Sequence, residues 1–313
     1  MRASGADGDR RAALYRTTLE MCARAEPHGA SALVSEHHGV DDGYLPSPVV
    51  MAAALAAATT TMPVVVAALL LASYEPVKLA EDMVVVDHLS RGRVSYVVGI
   101  GYRAEDATSF GVEPRRRAAL VEERIELLRR LWTGEVVELQ GRRARVTPAP
   151  YTPGGPLLLY GGGSEAAARR AGRLGLYFFA ETHDRSLEAA YREAAAAAGR
   201  APVGCSFPAP GVPLTTFVAE DPDRAWAELG QYMLDDARLY AAWNAARAGT
   251  ASVSRAASAA ELRAERGAYQ VVTPEEARAI VAAGSPLALQ PLVGGLPPER
   301  AWPYLEAALA ALG

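Results

Sequence analysis

The constraint that weighs most on this chain is an alternation. Short apolar runs at residues 30–34, 64–71, 93–100, 156–160, 175–180, 213–219 and 286–291 are separated by helix-like stretches at 10–28, 47–60, 76–89, 115–132, 164–173, 184–199, 222–247 and 297–312. Strands that alternate with helices pair in parallel, because each connection must cross back over the sheet. The run 64–71 is almost uniformly apolar, as expected of a strand buried on both faces. Pro48 just inside one helix start and the Ser90-Arg91-Gly92 stop of another punctuate the pattern. With 201–207 as a weaker additional run, the count approaches that of a (β/α)8 barrel, whose active site lies at the C-terminal ends of its strands. The expected fold class is therefore α/β and TIM-barrel-like, with a doubly wound open sheet as competitor. The chain opens on a helix, where an eight-unit barrel opens on a strand.

Two segments break the rhythm. Residues 135–150 read as a small hairpin inserted into a single domain spanning 1–313, with Gly141 at its turn. Residues 248–268 are small, polar and dotted with arginine, and an unpatterned stretch of that length reads as a mobile lid.

Charge and composition remove several function classes. The 313 residues carry 32 Lys+Arg against 36 Asp+Glu, a net charge of −4, which is no basic footprint for nucleic acid. The longest apolar stretch, 62–73, contains Pro63 and is short for a membrane span. Charges near the N-terminus stand where an export signal needs an apolar run, so the expected compartment is the cytoplasm. Cys22 and Cys205 are too few for a disulfide framework or a zinc site and read as small buried hydrophobes.

If the strands form a barrel, the residues after each strand converge on one mouth. Gly161-Gly162-Gly163-Ser164 follows a strand and opens a helix, and bare backbone at a helix start makes an anion cradle, read here as a phosphate site. Gly99-Ile100-Gly101-Tyr102-Arg103-Ala104 matches the dinucleotide fingerprint only formally. That fingerprint belongs at the first strand of its unit and needs an acidic residue at the end of the next strand, where this chain has a helix. Glu36-His37-His38 follows the first strand; adjacent side chains there point to opposite faces, which argues against a shared metal ion. One histidine of the pair is instead placed for acid–base work near neutral pH. No G-x-S-x-G elbow is present.

Taken together, Ser35-Glu36-His37-His38, Tyr44-Leu45-Pro46-Ser47-Pro48, Glu75-Pro76-Val77-Lys78-Leu79-Ala80-Glu81-Asp82, Asp87-His88-Leu89-Ser90-Arg91-Gly92-Arg93, Gly99-Ile100-Gly101-Tyr102-Arg103, the glycine triplet and Gln290-Pro291-Leu292-Val293-Gly294-Gly295-Leu296 resemble, in this order, the bacterial luciferase-like superfamily of flavin- or deazaflavin-dependent barrel enzymes. The resemblance implies that His37 is the catalytic histidine. It implies that Ala67 and Ala68 form a non-prolyl cis peptide facing the flavin ring, and that Gly161, Gly162, Gly163 and Ser164 bind the flavin phosphate. Gly101 and Tyr102 occupy the place of a basic side chain that helps hold the phosphate in luciferase proper. Glu36, His38, His183 and Gly294 are expected at the mouth, without a metal.

The same resemblance implies a two-component monooxygenase: reduced FMN from a separate flavin reductase, O2 and a small organic substrate. The alternatives are a coenzyme F420-dependent oxidoreductase working by hydride transfer, and a non-catalytic barrel serving as a partner subunit. A homodimer is expected, with no nucleic-acid or membrane partner. The family's usual first strand has no counterpart in this chain, which leaves open an upstream start, another segment in its place, or a degenerate barrel.

Overall fold

Among the described residues, five α-helices begin with a proline in their first turn, where its missing N–H costs nothing and its fixed φ favours the helix. The computed structural model describes residues 2, 5, 7–247 and 249–313. In chain order the elements are α1 (Gly8–Ala25), β1 (Ala32–Val34), α2 (Pro48–Ala58), β2 (Val64–Leu69), α3 (Pro76–Ser90), β3 (Val94–Val98), α4 (Ala104–Thr108), α5 (Arg117–Trp132), β4 (Val137–Leu139), β5 (Arg142–Ala144), β6 (Leu157–Gly162), α6 (Glu165–Leu174), β7 (Tyr177–Ala180), α7 (Leu187–Ala197), β8 (Cys205–Ser206), β9 (Thr215–Val218), α8 (Pro222–Trp243), α9 (Ala259–Glu265), β10 (Tyr269–Val272), α10 (Pro274–Ala282) and α11 (Pro298–Leu312).

A parallel six-stranded sheet runs β1-β2-β3-β6-β7-β8, a second parallel pair joins β10 to β9, and β4 with β5 forms the expected hairpin. Gln140 and Gly141 at its tip have φ of 51° and 73°, the left-handed conformation that a two-residue turn demands. The architecture is TIM-barrel-like, as expected. Val64, Val66, Leu69, Tyr96, Val98, Tyr160 and Phe178 are buried, and helices cover the outer face of the sheet. In β2, Val64, Val66 and Leu69 are buried while Val65, Ala67 and Ala68 are half-buried, so the run 64–71 is apolar throughout but fully covered on one face. No described helix is long and apolar enough to cross a membrane.

Three expectations need correcting. The strand expected at 286–291 reduces to a single bridge between Leu289 and Thr216, because Pro286 and Pro291 deny it ladder donors on either side. The four-residue strand β10 escaped notice beside the unpatterned segment, although Thr273 and Glu276 form a full capping box at the start of the helix that follows. The expected lid at 248–268 contains α9, capped by Ser258, and its position 248 lies outside the described residues. Cys22 and Cys205 are free and half-buried.

Two polar anchors hold the lower turns. Arg93 donates to Ser90 O at 2.8 Å, Met62 O at 2.7 Å, Ala56 O at 2.9 Å, and Thr59 Oγ1 and O at 3.1 Å each, tying the end of α2 to the end of α3. Glu26 Oε1 accepts from the backbone N–H groups of Thr60, Thr61 and Met62, and from the Thr61 hydroxyl. The Thr61 N–H leads the bonds that lower the Glu26 pKa to about 2. A carboxylate whose folded pKa is depressed stabilises the fold above its unfolded value and loses that contribution as pH falls through the folded one. Wild type should therefore lose stability between about pH 4.5 and about pH 2 more steeply than Glu26→Gln. Parallel acid-unfolding curves for the two proteins would reject this role.

Candidate active site

His37 leaves the end of β1 and is 6% exposed. Its Nδ1 donates to Asp106 Oδ2 at 2.8 Å, and its Nε2 lies 2.9 Å from the Tyr102 hydroxyl. Tyr44, Trp243 and Tyr102 surround the ring with centroids at 4.8, 4.7 and 5.2 Å. Asp106, on the short helix α4, also accepts from His38 N at 3.0 Å and from Arg103 Nη1 at 2.8 Å. Burial works to raise its carboxyl, but the bonds from His37 and His38 and the Arg103 charge outweigh burial and hold it below the usual range. An ionised Asp106 is acceptor only, so it fixes the Nδ1–H tautomer and leaves Nε2 to accept from Tyr102. Burial pushes the Tyr102 phenol upward, keeping it the donor.

The two histidines diverge, as adjacent residues leaving a strand must. His38 Nε2 is 2.7 Å from Glu36 Oε1, and its ring packs on Phe110 at 4.6 Å. Glu36 also accepts from the Tyr74 hydroxyl at 2.7 Å and from Leu70 N at 2.8 Å. Both therefore brace the loops and do not join His37. His183 is exposed and bonds Pro208 O at 2.9 Å. A Cβ on Gly294 would stand 2.3 Å from Tyr232 O, so that glycine serves close packing against α8. Among the described residues no cluster of His, Cys, Asp or Glu could hold a metal ion.

The peptide Ala67-Ala68 is cis, at the register shift between β2 and β3. Gly99 lies opposite, where a Cβ would approach Ala68 Cβ to 3.1 Å, and Gly101, at φ 71°, sits against Leu70. At the end of β6 an added Cβ would meet Val97 Cγ1 at 2.8 Å from Gly161, Ala167 Cβ at 2.6 Å from Gly162, and Glu181 Cγ at 2.9 Å from Gly163. Ser164 caps α6 through Ala167 N. Gly161 and Gly162 thus exclude side chains beside the first turn of a helix, and at Gly163 a side chain would have to displace Glu181. This donor set fits the phosphate end of a flavin or deazaflavin.

Two further groups lie over this mouth that the sequence reading passed by. Arg2 is buried, with Asp42 at 2.7 Å and Asp236 at 3.1 Å, beneath the rings of Tyr44, Tyr240 and Trp243 at 5.2, 5.4 and 5.6 Å. Burial raises the Asp236 carboxyl, with the Arg2 charge and the Tyr269 hydroxyl opposing it. The segment after α8 crosses the end of β7: Thr250 bridges Thr182, Ala251 N donates to Glu181 O at 2.9 Å, and Arg247 pairs with the Glu181 carboxylate. Arg247 also lies 5.1 Å from the Tyr102 ring centroid and bonds Asn244 Oδ1 at 3.0 Å. Asp106 was legible in principle, as an acidic residue in the first turn of a helix after a glycine-rich strand end. Arg2 and Arg247 carried no local signal.

A family model described as luciferase-like monooxygenase matches residues 2–288. The chain is 32% identical over 133 residues to limonene 1,2-monooxygenase of Rhodococcus erythropolis, covering 42% of this chain and 34% of that protein. It is 32% identical over 203 residues to an F420-dependent glucose-6-phosphate dehydrogenase of Nocardia farcinica, covering 59% and 60%. The matched stretch spans about a third of the length of the first curated relatives, 34% in each. Among solved structures, the oxygenating constituent of 3,6-diketocamphane monooxygenase from Pseudomonas putida, in complex with FMN, superposes with a TM-score of 0.70 at 18% identity over 99% of this chain and 97% of that one. At that identity the likeness is one of fold.

Proposed function

We propose, since the chain belongs to the luciferase-like monooxygenase family, that it is the oxygenating component of a two-component system using reduced FMN and O2 on a small organic substrate. The observation that carries this reading is His37, held between Asp106 and Tyr102 at the mouth that the glycine cradle borders. When bound, the reduced flavin supplies the electrons that activate O2. The chain's residues do the rest. Gly161, Gly162, Gly163 and Ser164 hold the phosphate end, with Gly101 and Tyr102 beside them, while Ala67 and Ala68 border the ring. His37 holds and moves one proton at Nε2, its ring fixed by Asp106. Trp243, Tyr44 and the strap after α8 exclude water from that nitrogen.

A separate reductase is part of the proposal: the Gly99-to-Ala104 run opens into the short helix α4 and lacks the acidic strand end that a dinucleotide fingerprint requires. Coenzyme F420 with hydride transfer is the second reading, favoured by the extent of the match to the F420-dependent dehydrogenase. Anaerobic titration with reduced FMN and with reduced F420, followed by admission of O2, separates them: FMN binding with O2 uptake is expected. Binding of F420 alone would overturn the first reading, and binding of neither would leave the third, a partner subunit. We also propose a homodimer through α2 and α3, whose Val50, Val85 and Leu89 are 70%, 54% and 52% exposed. Light scattering should give twice the chain mass for wild type, and a lower mass for Leu89→Arg.

A further inference from the structure

The glycine cradle has a resident neighbour of the wrong sign. Glu181 follows β7, the strand beside β6, and its N–H donates to Gly162 O at 3.2 Å. Its side chain lies over Gly163, with Cγ 2.9 Å and Oε1 3.1 Å from where a Cβ would stand. A phosphate seated on the Gly162 and Gly163 backbone would face this carboxylate at close range, an unfavourable like-charge contact in a partly buried site. What neutralises Glu181 is Arg247, reaching across from the strap. The arginines on α6 are otherwise engaged: Arg169 pairs with Glu165 and Glu193, and Arg170 and Arg173 pair with Glu122.

We infer that Arg247 is a ligand of the cofactor's phosphate and that Glu181 is its resting partner, displaced when the phosphate arrives. The inference rests on the flavin or deazaflavin reading above. Guanidinium recognises carboxylate and phosphate through the same planar fork, so one arginine can exchange one for the other with little movement. Three tethers hold Arg247 in reach of the cradle: its bond to Asn244, its place over the Tyr102 ring, and the Thr182–Thr250 bridge three residues on.

The two residues then have opposite effects on binding of the phosphate, and none on a phosphate-free analogue. Glu181→Gln removes the competing carboxylate and should tighten the phosphate-bearing coenzyme; Arg247→Gln removes its ligand and should loosen it about tenfold or more, the worth of one charge-assisted bond. The experiment measures dissociation constants for wild type and both variants with FMN against riboflavin, and with F420 against its phosphate-free deazaflavin precursor. Circular dichroism checks that each variant is folded. The expected result is a ratio of phosphate-bearing to phosphate-free affinity that rises in Glu181→Gln and falls in Arg247→Gln. A ratio unchanged in both variants, or moved the same way in both, overturns the inference while leaving the cofactor reading intact. Failure of all three proteins to bind either coenzyme removes the cofactor reading, and this inference with it.

Discussion

Replacing His37 by alanine is expected to lower turnover about 10²- to 10⁴-fold, the usual worth of a positioned acid–base group, while coenzyme affinity changes less than about twofold. The two effects separate because His37 touches Asp106, Tyr102 and the aromatic wall, whereas the cradle is built from β6 and α6. Asp106→Asn should lose a comparable amount, since its single amide oxygen is claimed by the His38 N–H and Arg103, and the NH2 then facing Nδ1 favours the wrong tautomer. Single-turnover product formation with pre-reduced coenzyme is the measurement, because it isolates the step from reductase supply. Equal loss of coenzyme binding in His37→Ala would mean the ring is part of the cofactor seat. Turnover within threefold of wild type would remove the histidine from the chemistry.

The largest effect on stability is expected at Arg93. Its guanidinium makes five bonds to three carbonyls of the α2 end and its following turn, one carbonyl at the end of α3, and the Thr59 hydroxyl. Hydrogen bonds to charged groups contribute about 1.5–3 kcal/mol each, but this side chain is only partly buried and water can replace some of them. Arg93→Ala should therefore cost about 3 kcal/mol, read from urea unfolding midpoints. Arg93→Lys should recover little, because a single ammonium cannot span acceptors on two helix ends. An alanine variant within about 0.5 kcal/mol of wild type would show that the turns carry themselves.

Much of this arrangement was readable from residue patterns, and the rest was not for identifiable reasons. The strands β2, β3 and β6 announce themselves because each is an almost unbroken apolar run with its core-facing positions buried. The strand at Leu289 misled because its apolar content survives while its two prolines remove the donors. At the site, the spacing in Glu36-His37-His38 already separates the two imidazoles, since strand geometry alone dictates it. What braces each of them comes from elsewhere: Asp106 lies 69 residues from His37, and Tyr74 lies 38 from Glu36. Contacts of that range depend on the closure of the fold and leave no mark on local composition. Arg2 and Arg247 illustrate the same limit, since neither carries a local signal and only the fold brings each over the mouth.

Among the described residues, β1 and β8 each pair on one side only, and the β9–β10 pair is laddered to neither; its outside bridge runs from Thr216 to the isolated Leu289. A barrel with an unbroken hydrogen-bonded circumference resists any change of girth, since widening it breaks rungs. Here the circumference is built like a clasp: the six-stranded leaf is laddered throughout, and a change of girth at the seams along its unpaired edges breaks none of those rungs. Arg2, anchored to Asp42 after β1 and to Asp236 on α8, spans one of these seams at the rim. Admission of a bulky guest can thus proceed by flexing the clasp at its seams, with every rung of the ladder intact.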